Sequence, residues 1–290
     1  MTSQGMRNFL SRANAAILAL SVAGTAAANS GVVQQLAMDQ VHWSFTGDRF
    51  HCELELDLKK NGELLLSHPA GAPMQVHYRP AQALPAEVSL ASRTAPWQGD
   101  RQSQATALAA RDDHFRLDQH TSRSVLTAFD SGLWTSLYLD TLELRIPTVN
   151  WAPVADRFRQ CEQQLSPLSV HQARDQVVFY QAGQRALTPE QIADLEDLAR
   201  YVQLDPQVRK LLVDGHTDNT GSRLGNLQIA RERAADVAAV LKAAGIPNTM
   251  IEQRAHGDRY PSANNDTAEG RDLNRRVTIR IVRQETEETS

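Results

Sequence analysis

Between His42 and Pro147 apolar and polar residues alternate in short runs, the period of a half-buried strand. Phe50, Cys52, Leu54, Leu56 and Leu58 fall on one side of such a run, with His51, Glu53, Glu55 and Asp57 on the other. Asn61-Gly62 follows, a pair suited to positive φ at both positions of a tight hairpin turn, and Leu64 to Leu66 opens the return strand. Met74 to Tyr78, Glu87 to Ala91, Ser124 to Phe129 and Trp134 to Ile146 read as further strands. In the last of these the apolar phase slips near Asp140-Thr141, which implies a bulge or two shorter strands. The polar stretch from Asp100 to Asp113 fits a surface loop or a short exposed helix. From Val154 to Leu165 the spacing becomes helical and carries Cys161, and Ser166-Pro167 interrupts it.

The second half alternates strand and helix. Gln176 to Tyr180 reads as a strand. Thr188-Pro189-Glu190-Gln191 reads as a helix start, with a capping threonine, proline in the first turn and Gln191 placed to close a capping box. Ile192, Leu195, Leu198 and Val202 form the apolar stripe of that helix. Val208 to Val213 is a short apolar strand, and Leu227 to Ala244 is a helix stopped by Gly245 and Pro247. Val277, Ile279 and Ile281 alternate in a final strand. Two domains are therefore predicted, a mainly β domain over 29–165 and an α+β domain over 175–283. A linker at 166–174 separates them, and an acidic tail at 284–290 follows the second.

Residues 1–28 have the grammar of an export signal: Arg7 and Arg12, an apolar run from Ala13 to Ala23, and Ala26-Ala27-Ala28 before the expected cleavage point. That run is about half of the ~20 residues a membrane-spanning helix needs; the alternative is an uncleaved signal anchor. No cysteine lies near the cleavage point, so no lipid anchor is expected. The formal charge of -4 gives no electrostatic case for nucleic acid as a partner. The two cysteines, Cys52 and Cys161, both precede the second domain. In an exported chain they read as one disulfide closing the first domain, the alternative being two buried thiols. Neither has the spacing of a redox or zinc motif.

The sharpest chemical feature is Gly215-His216-Thr217-Asp218-Asn219-Thr220-Gly221, followed by Asn226 and Arg233-Ala234. It sets an acid in a loop before a helix and an arginine inside that helix, a pair able to hold a zwitterion by its ammonium and carboxylate ends. The amides of Asn219, Thr220 and Gly221, just ahead of the helix, are placed to receive a carboxylate. The alternative is a salt bridge between Asp218 and Arg233 that ties loop to helix. Downstream lie Gly257, Pro261, Asn265, Thr267, Gly270-Arg271 and Asn274-Arg275-Arg276-Val277. Together these residues resemble the peptidoglycan-binding domain shared by OmpA, Pal and MotB, over roughly the last third of the chain.

This resemblance implies an α+β OmpA-like domain whose ligand is the diaminopimelate of the peptidoglycan stem peptide. It assigns ligand contact to Asp218 and Arg233, with Asn226 and Thr217 beside them and Asn274, Arg275 and Arg276 at the cleft border. The chain departs from the family at Ile229-Ala230, at Ala255-His256-Gly257, and at Tyr180, where an aspartate often follows the strand's phenylalanine. His216 reads as structural. His114 and His120 are not spaced as a helical metal pair, and no cofactor, metal site or enzyme motif is expected.

The first half, with Val88-Ser89-Leu90 leading to Ala95-Pro96-Trp97-Gln98-Gly99 and Cys161 just before the linker, resembles the MotY family of periplasmic flagellar motor proteins. The resemblance implies docking on the flagellar basal body and recruitment or anchoring of stator units, with MotX-like or MotB-like proteins as partners. The competing expectations are a general envelope tether of the OmpA or Pal kind and a wall-cleaving hydrolase, for which no catalytic set is found. Of the four tryptophans, Trp97 follows a proline in a loop and is expected at the surface, whereas Trp43, Trp134 and Trp151 are expected in the core.

Overall fold

The computed structural model of the chain describes residues 31–284 except 83, 84, 100 and 112. The expected export signal and all but the first residue of the expected acidic tail lie outside the described residues. The alternating first half forms β1 (Val32–Gln35), β2 (Trp43–Gly47), β3 (His51–Asp57), β4 (Glu63–Pro69), β5 (Gln75–Arg79) and β6 (Val88–Arg93). Three short strands follow, β7 (Thr106–Ala107), β8 (Ala109–Arg111) and β9 (His114–Arg116). Helix α1 (Gln119–Asp130), β10 (Trp134–Leu139), β11 (Leu142–Ile146) and helix α2 (Trp151–Gln164) complete the domain.

Its strands make a six-stranded sheet in the order β2-β3-β4-β5-β9-β8 and a five-stranded sheet in the order β1-β11-β10-β6-β7. One continuous core joins them, with Cys52, Leu54, Leu56, Leu64 and Leu66 from the first and Leu90, Leu137 and Leu144 from the second. Trp43, Trp134 and Trp151 are buried, while Trp97 is 68% exposed and meets Trp134 edge-on.

Three local expectations change. Ser124 to Phe129 is not a strand but the second half of α1: Asp118 caps the helix by accepting from the Thr121 amide at 3.0 Å. Ser122, Val125, Ala128 and Phe129 are then buried at helical spacing, and the Ser122 hydroxyl accepts from the Val76 amide at 3.0 Å. The β3–β4 connection is not a two-residue turn at Asn61-Gly62. It runs through a 3-10 turn at Lys59–Asn61, with positive φ at Lys59 and Gly62. The Asp57 carboxylate takes both the amide and the ammonium of Lys59, which stabilises that turn locally. A Cβ on Gly62 would lie 2.1 Å from the Arg79 carbonyl oxygen.

The stretch expected as a loop or exposed helix around 100–113 instead supplies the short edge strands β7 and β8. Trp134 to Ile146 is two strands, turning at Asp140 with φ 47°. Every residue of β10 is buried, so alternation cannot mark its faces. On its outer side Ser136, Arg93 and Arg145 converge on the buried Glu143. Burial would raise that carboxyl, but the hydrogen bonds of Arg145 and Ser136 outweigh it and hold it below its ordinary value.

The second domain begins inside the expected linker, where Ser169 and Gln172 form a capping box for helix α3 (Val170–Arg174). There follow β12 (Asp175–Phe179), α4 (Pro189–Leu204), β13 (Val208–His216), α5 (Arg223–Ala243), β14 (Ile251–Gly257), α6 (Ala268–Asn274) and β15 (Arg276–Arg283). The capping box of Thr188 and Gln191 forms as expected. Helix α5 begins earlier than its apolar pattern does, because Ser222 caps it by accepting from the Gly225 amide. The sheet order is β12-β15-β13-β14, with β13 and β14 parallel and the other pairs antiparallel. Helix α5 crosses between β13 and β14, and Gly215 lets it approach: a Cβ there would lie 2.1 Å from the Ala230 carbonyl oxygen.

Two links hold the arrangement. Cys52 and Cys161 are bonded, with Cα atoms 6.0 Å apart, fixing the C-terminal end of α2 to β3. Beside them His68 and Glu162 pair at 2.6 Å. The adjacent β2–β3 turn reaches the second domain: Phe50 packs on Tyr201 at 5.6 Å, and the Arg49 carbonyl accepts from the Ser166 amide at 2.8 Å.

Replacing both cysteines with alanine is expected to lower the stability of the first domain by about 4 kcal/mol, given the long loop the bond closes. Urea unfolding followed by tryptophan fluorescence isolates that domain, since all four tryptophans lie in it. An unchanged midpoint would show that the crosslink contributes nothing.

Candidate functional site

The C-terminal end of β13 carries the site because three loops converge there. Asp218 lies two residues past the strand, and the intervening Thr217 amide donates to the Gly257 carbonyl at 2.8 Å, which aligns the loop with the end of β14. One Asp218 carboxylate oxygen accepts from the Thr220 amide at 2.9 Å; the other accepts from Arg275 Nη1 at 2.6 Å. Asn226, one turn into α5, donates from Nδ2 to the Asp218 carbonyl at 3.2 Å and so fixes the loop from the helix side. Burial would raise the Asp218 carboxyl, yet the Arg275 guanidinium and the Thr220 amide more than offset this and hold it below the ordinary carboxylate value. Its negative charge therefore persists to lower pH than an ordinary aspartate's would.

Arg233, buried on α5, forms no ion pair with Asp218. Its Nη2 donates to the Gln184 carbonyl at 3.1 Å, its guanidinium lies 4.3 Å from the Tyr180 ring centroid, and its Nε has no hydrogen-bond partner. Thr217 Oγ1 and the Tyr180 hydroxyl are likewise buried without partners among the described residues. A cavity of about 600 Å³ opens beside Thr217, Asp218 and Arg233, with Tyr180 outside its wall. Its wall brings together Asp218, Arg233, Asn226, Thr217 and Arg275 of the residues expected from the sequence.

Asn274 and Arg276 are not on that wall. Asn274 is fully buried; its Oδ1 accepts from the Ser262 and Ala263 amides, and its Nδ2 donates to the Ala263 carbonyl and to Asn265. It thus holds the 260–265 loop in shape. Arg276 donates to the Tyr260 carbonyl at 3.2 Å. The backbone amides expected to receive a carboxylate are partly engaged within the protein, Thr220 N by Asp218 and Asn219 N by Asn265.

The cavity also includes residues that sequence reasoning passed over. Ile229 and Asp236 line it from α5 at four- and three-residue spacing from Arg233, which puts them on its face, and the adjacent Glu232 borders it. That spacing was available from the sequence. Gln184 and Arg185 were not, because they arrive from the β12–α4 loop, while Arg271, on α6, stands in the downstream motif but was not assigned to the site.

His216 ends β13 beneath the site, its ring stacked on that of His256 at 4.9 Å. His256 in turn contacts Asp214 at 2.9 Å. Burial, with the Arg276 and His256 charges, pushes His216 down to about 4 against the weaker opposing pull of the Arg259 carbonyl and Asp214.

With this geometry in place, the chain can be set beside known proteins. Residues 179–275 match the OmpA family and residues 35–167 match the MotY N-terminal domain. Outer membrane protein A of Bordetella avium is 31% identical over 137 residues, which cover 47% of this chain and 69% of that protein. The sodium-type flagellar protein MotY of Vibrio parahaemolyticus is 24% identical over 246 residues, 80% of this chain and 84% of that one. Among solved structures, the C-terminal domain of Helicobacter pylori MotB aligns with 29% identity over 37% of this chain and 82% of its own, at a TM-score of 0.34. The chain belongs to the OmpA family through its second domain. In front of it stands a MotY N-terminal domain, over residues 35–167.

A buried histidine whose folded value lies below its unfolded one leaves the unfolded state binding more protons between the two values, so stability falls as pH drops through that window. Between pH 7 and 5, His216 is expected to withdraw about 2 kcal/mol from the second domain. Hydrogen exchange of the β13 and β15 core amides at the two pH values measures this. The loss should shrink in His216→Gln, and an equal loss in that variant would clear His216 of the effect.

Proposed function

We propose that this protein is a periplasmic component of the flagellar motor that holds peptidoglycan through its second domain and docks on the basal body through its first. The observation that carries the wall-binding half is the buried Arg233, with no carboxylate partner among the described residues, on the same cavity wall as Asp218 and the unpartnered Thr217 hydroxyl. Such a cavity fits a zwitterion. The diaminopimelate side chain of the stem peptide supplies both ends, its ammonium toward Asp218 and its carboxylate toward the Arg233 guanidinium. Thr217 and Asn226 complete the wall beside Asp218, while Asn274 and Arg276 support the neighbouring loop and Arg275 fixes Asp218 itself.

The docking half is supported by the MotY N-terminal domain at 35–167, together with a relative named as a flagellar protein that aligns over both domains. In this reading the first domain joins the basal body and helps recruit or anchor stator units through MotX-like or MotB-like partners. A stator must be fixed to something that does not turn with the rotor, and the cell wall is that support. The export signal at 1–28 delivers the chain to the periplasm.

Arg233→Ala is expected to reduce retention on insoluble peptidoglycan by more than about tenfold, roughly 1.4 kcal/mol. Asp218→Asn should act in the same direction. Asp218→Ala is a harsher change, since it removes the buried one of the two carboxylates that Arg275 pairs with and leaves it only the exposed Asp272, at a cost of about 1 to 3 kcal/mol in stability. Undiminished pull-down by folded Arg233→Ala and Asp218→Asn proteins would reduce the pair to a structural role. Purified hook–basal bodies should carry the protein in stoichiometric amounts; its presence only on the bulk wall would favour the general envelope tether.

A further inference from the structure

The outer face of the six-stranded sheet is divided by charge. One registered row runs Ser44, Glu55, Leu65, His77 and Arg116 across β2, β3, β4, β5 and β9. Glu53 stands in the next row on β3, and Arg111 lies beyond β9 on β8. Acids therefore gather on the β3 side and arginines on the β9 side, with Leu65, 5% exposed, between them. Glu63 and Arg79, nearer the middle, pair with each other at 3.1 Å. Glu55 and Arg111 form no ion pair among the described residues, and Arg116 reaches only the Gln75 side-chain oxygen, at 3.5 Å. Each side thus repels itself. Burial raises the Glu55 carboxyl, and Glu63, Glu53 and Asp57 raise it further against the pull of Arg79. Burial, with the charges of His114, Arg116 and Arg79, pushes His77 down to about 4, so its ring is neutral at pH 7.

We propose that this face is the interface with a second copy of the chain. A two-fold axis lying in the interface and running along the strands, between β4 and β5, exchanges the two sides, so that β3 of each copy faces β9 of the other. Neighbouring strands are about 4.8 Å apart, so β3 and β9 lie about 7 Å to either side of that axis. Glu55 then meets Arg116 twice, and Leu65 meets the neutral His77 ring. A partner carrying one sign of charge would be repelled by half of the face. The direction of the axis has a consequence for the second domain. The β2–β3 and β4–β5 turns, at one end of these strands, carry the contacts to it through Phe50 and Gly71. Rotation about the strand direction keeps that end in common, and the two second domains lie at the same end of the pair. The pair then grips the wall at two points, a consequence that rests on the cavity being the stem-peptide site.

Sedimentation equilibrium of the exported protein tests the interface. The wild type is expected to show a monomer–dimer equilibrium at low salt that weakens as salt rises, because the contacts are charged. Glu53→Lys with Glu55→Lys makes both sides of the face basic, and Arg111→Glu with Arg116→Glu makes both acidic. Each of these proteins alone should dimerise at least about tenfold more weakly than wild type. An equimolar mixture of the two should form a heterodimer, since opposite charges then meet at both contacts. Glu55→Gln with Arg116→Gln is a milder change in the same row and should also weaken the dimer, which keeps the test decisive where a reversed protein fails to fold. Wild-type protein that stays monomeric up to about 1 mM at low salt would overturn the proposal, as would folded variants that dimerise as well as wild type. Retention on insoluble peptidoglycan separates this inference from the wall-binding reading. The neutralised variant, with its cavity untouched, should be retained more weakly than the dimer. Equal retention would overturn the paired grip, and a dimer that is not retained at all would overturn the wall-binding reading while leaving the interface standing.

Discussion

The binding end of the second domain is organised around the side chain of Arg275. It donates to Asp218 from the β13–α5 loop, to the Tyr180 carbonyl at the end of β12, and to Asp272 on α6. Three segments far apart in sequence are thereby fixed to one planar group, whose fork geometry allows several directed hydrogen bonds at once. The buried pair has a second consequence. By taking the Asp218 carboxylate, Arg275 removes the natural partner of Arg233, and the second guanidinium is left beside a ring, a carbonyl and an open cavity. A buried cation without a counter-ion is costly to maintain. That cost makes sense where a ligand supplies the anion.

The first domain has a different kind of anchor. The crosslink between Cys52 and Cys161 joins the last helix of that domain to a central strand, just before the chain crosses to the second domain. The neighbouring turn then inserts Phe50 against Tyr201, and Gln172 donates to the Gly71 carbonyl at 2.9 Å. A load applied at the wall-binding end would thus pass into a six-stranded sheet through a covalent bond and a packed turn, not through a bare linker. Such coupling suits a protein proposed to connect a motor to the wall.

Much of the fold was legible because local rules agreed with tertiary packing. The alternation of Cys52, Leu54 and Leu56 matches a half-buried strand, and the Thr188 capping box marks the start of α4 correctly. The split of Trp134 to Ile146 into two shorter strands was also legible, although in β10 both faces are covered and apolar and polar residues are buried alike. Failures occurred where a local cap or turn decided the outcome. In α1 the decisive signal is Asp118, a capping acid lying before the short apolar run that reads as a strand. At the β3–β4 connection Asp57 stabilises positive φ at Lys59, and so the turn widens beyond Asn61-Gly62.

The candidate site divides along the same line. The sequence by itself determined the resemblance of the motifs to a known domain, and hence the region where an acid and an arginine would meet a ligand. It also carried the helical spacing that places Ile229 and Asp236 beside Arg233. Only the tertiary structure decided which arginine pairs with Asp218, because the choice between Arg233 and Arg275 depends on how α6 and β15 approach the loop. It alone brought Tyr180 from the end of β12 under the Arg233 guanidinium. Periodicity reports which face of an element is buried, but partner choice among buried charges is set by distance and direction in three dimensions, which the order of residues does not encode locally.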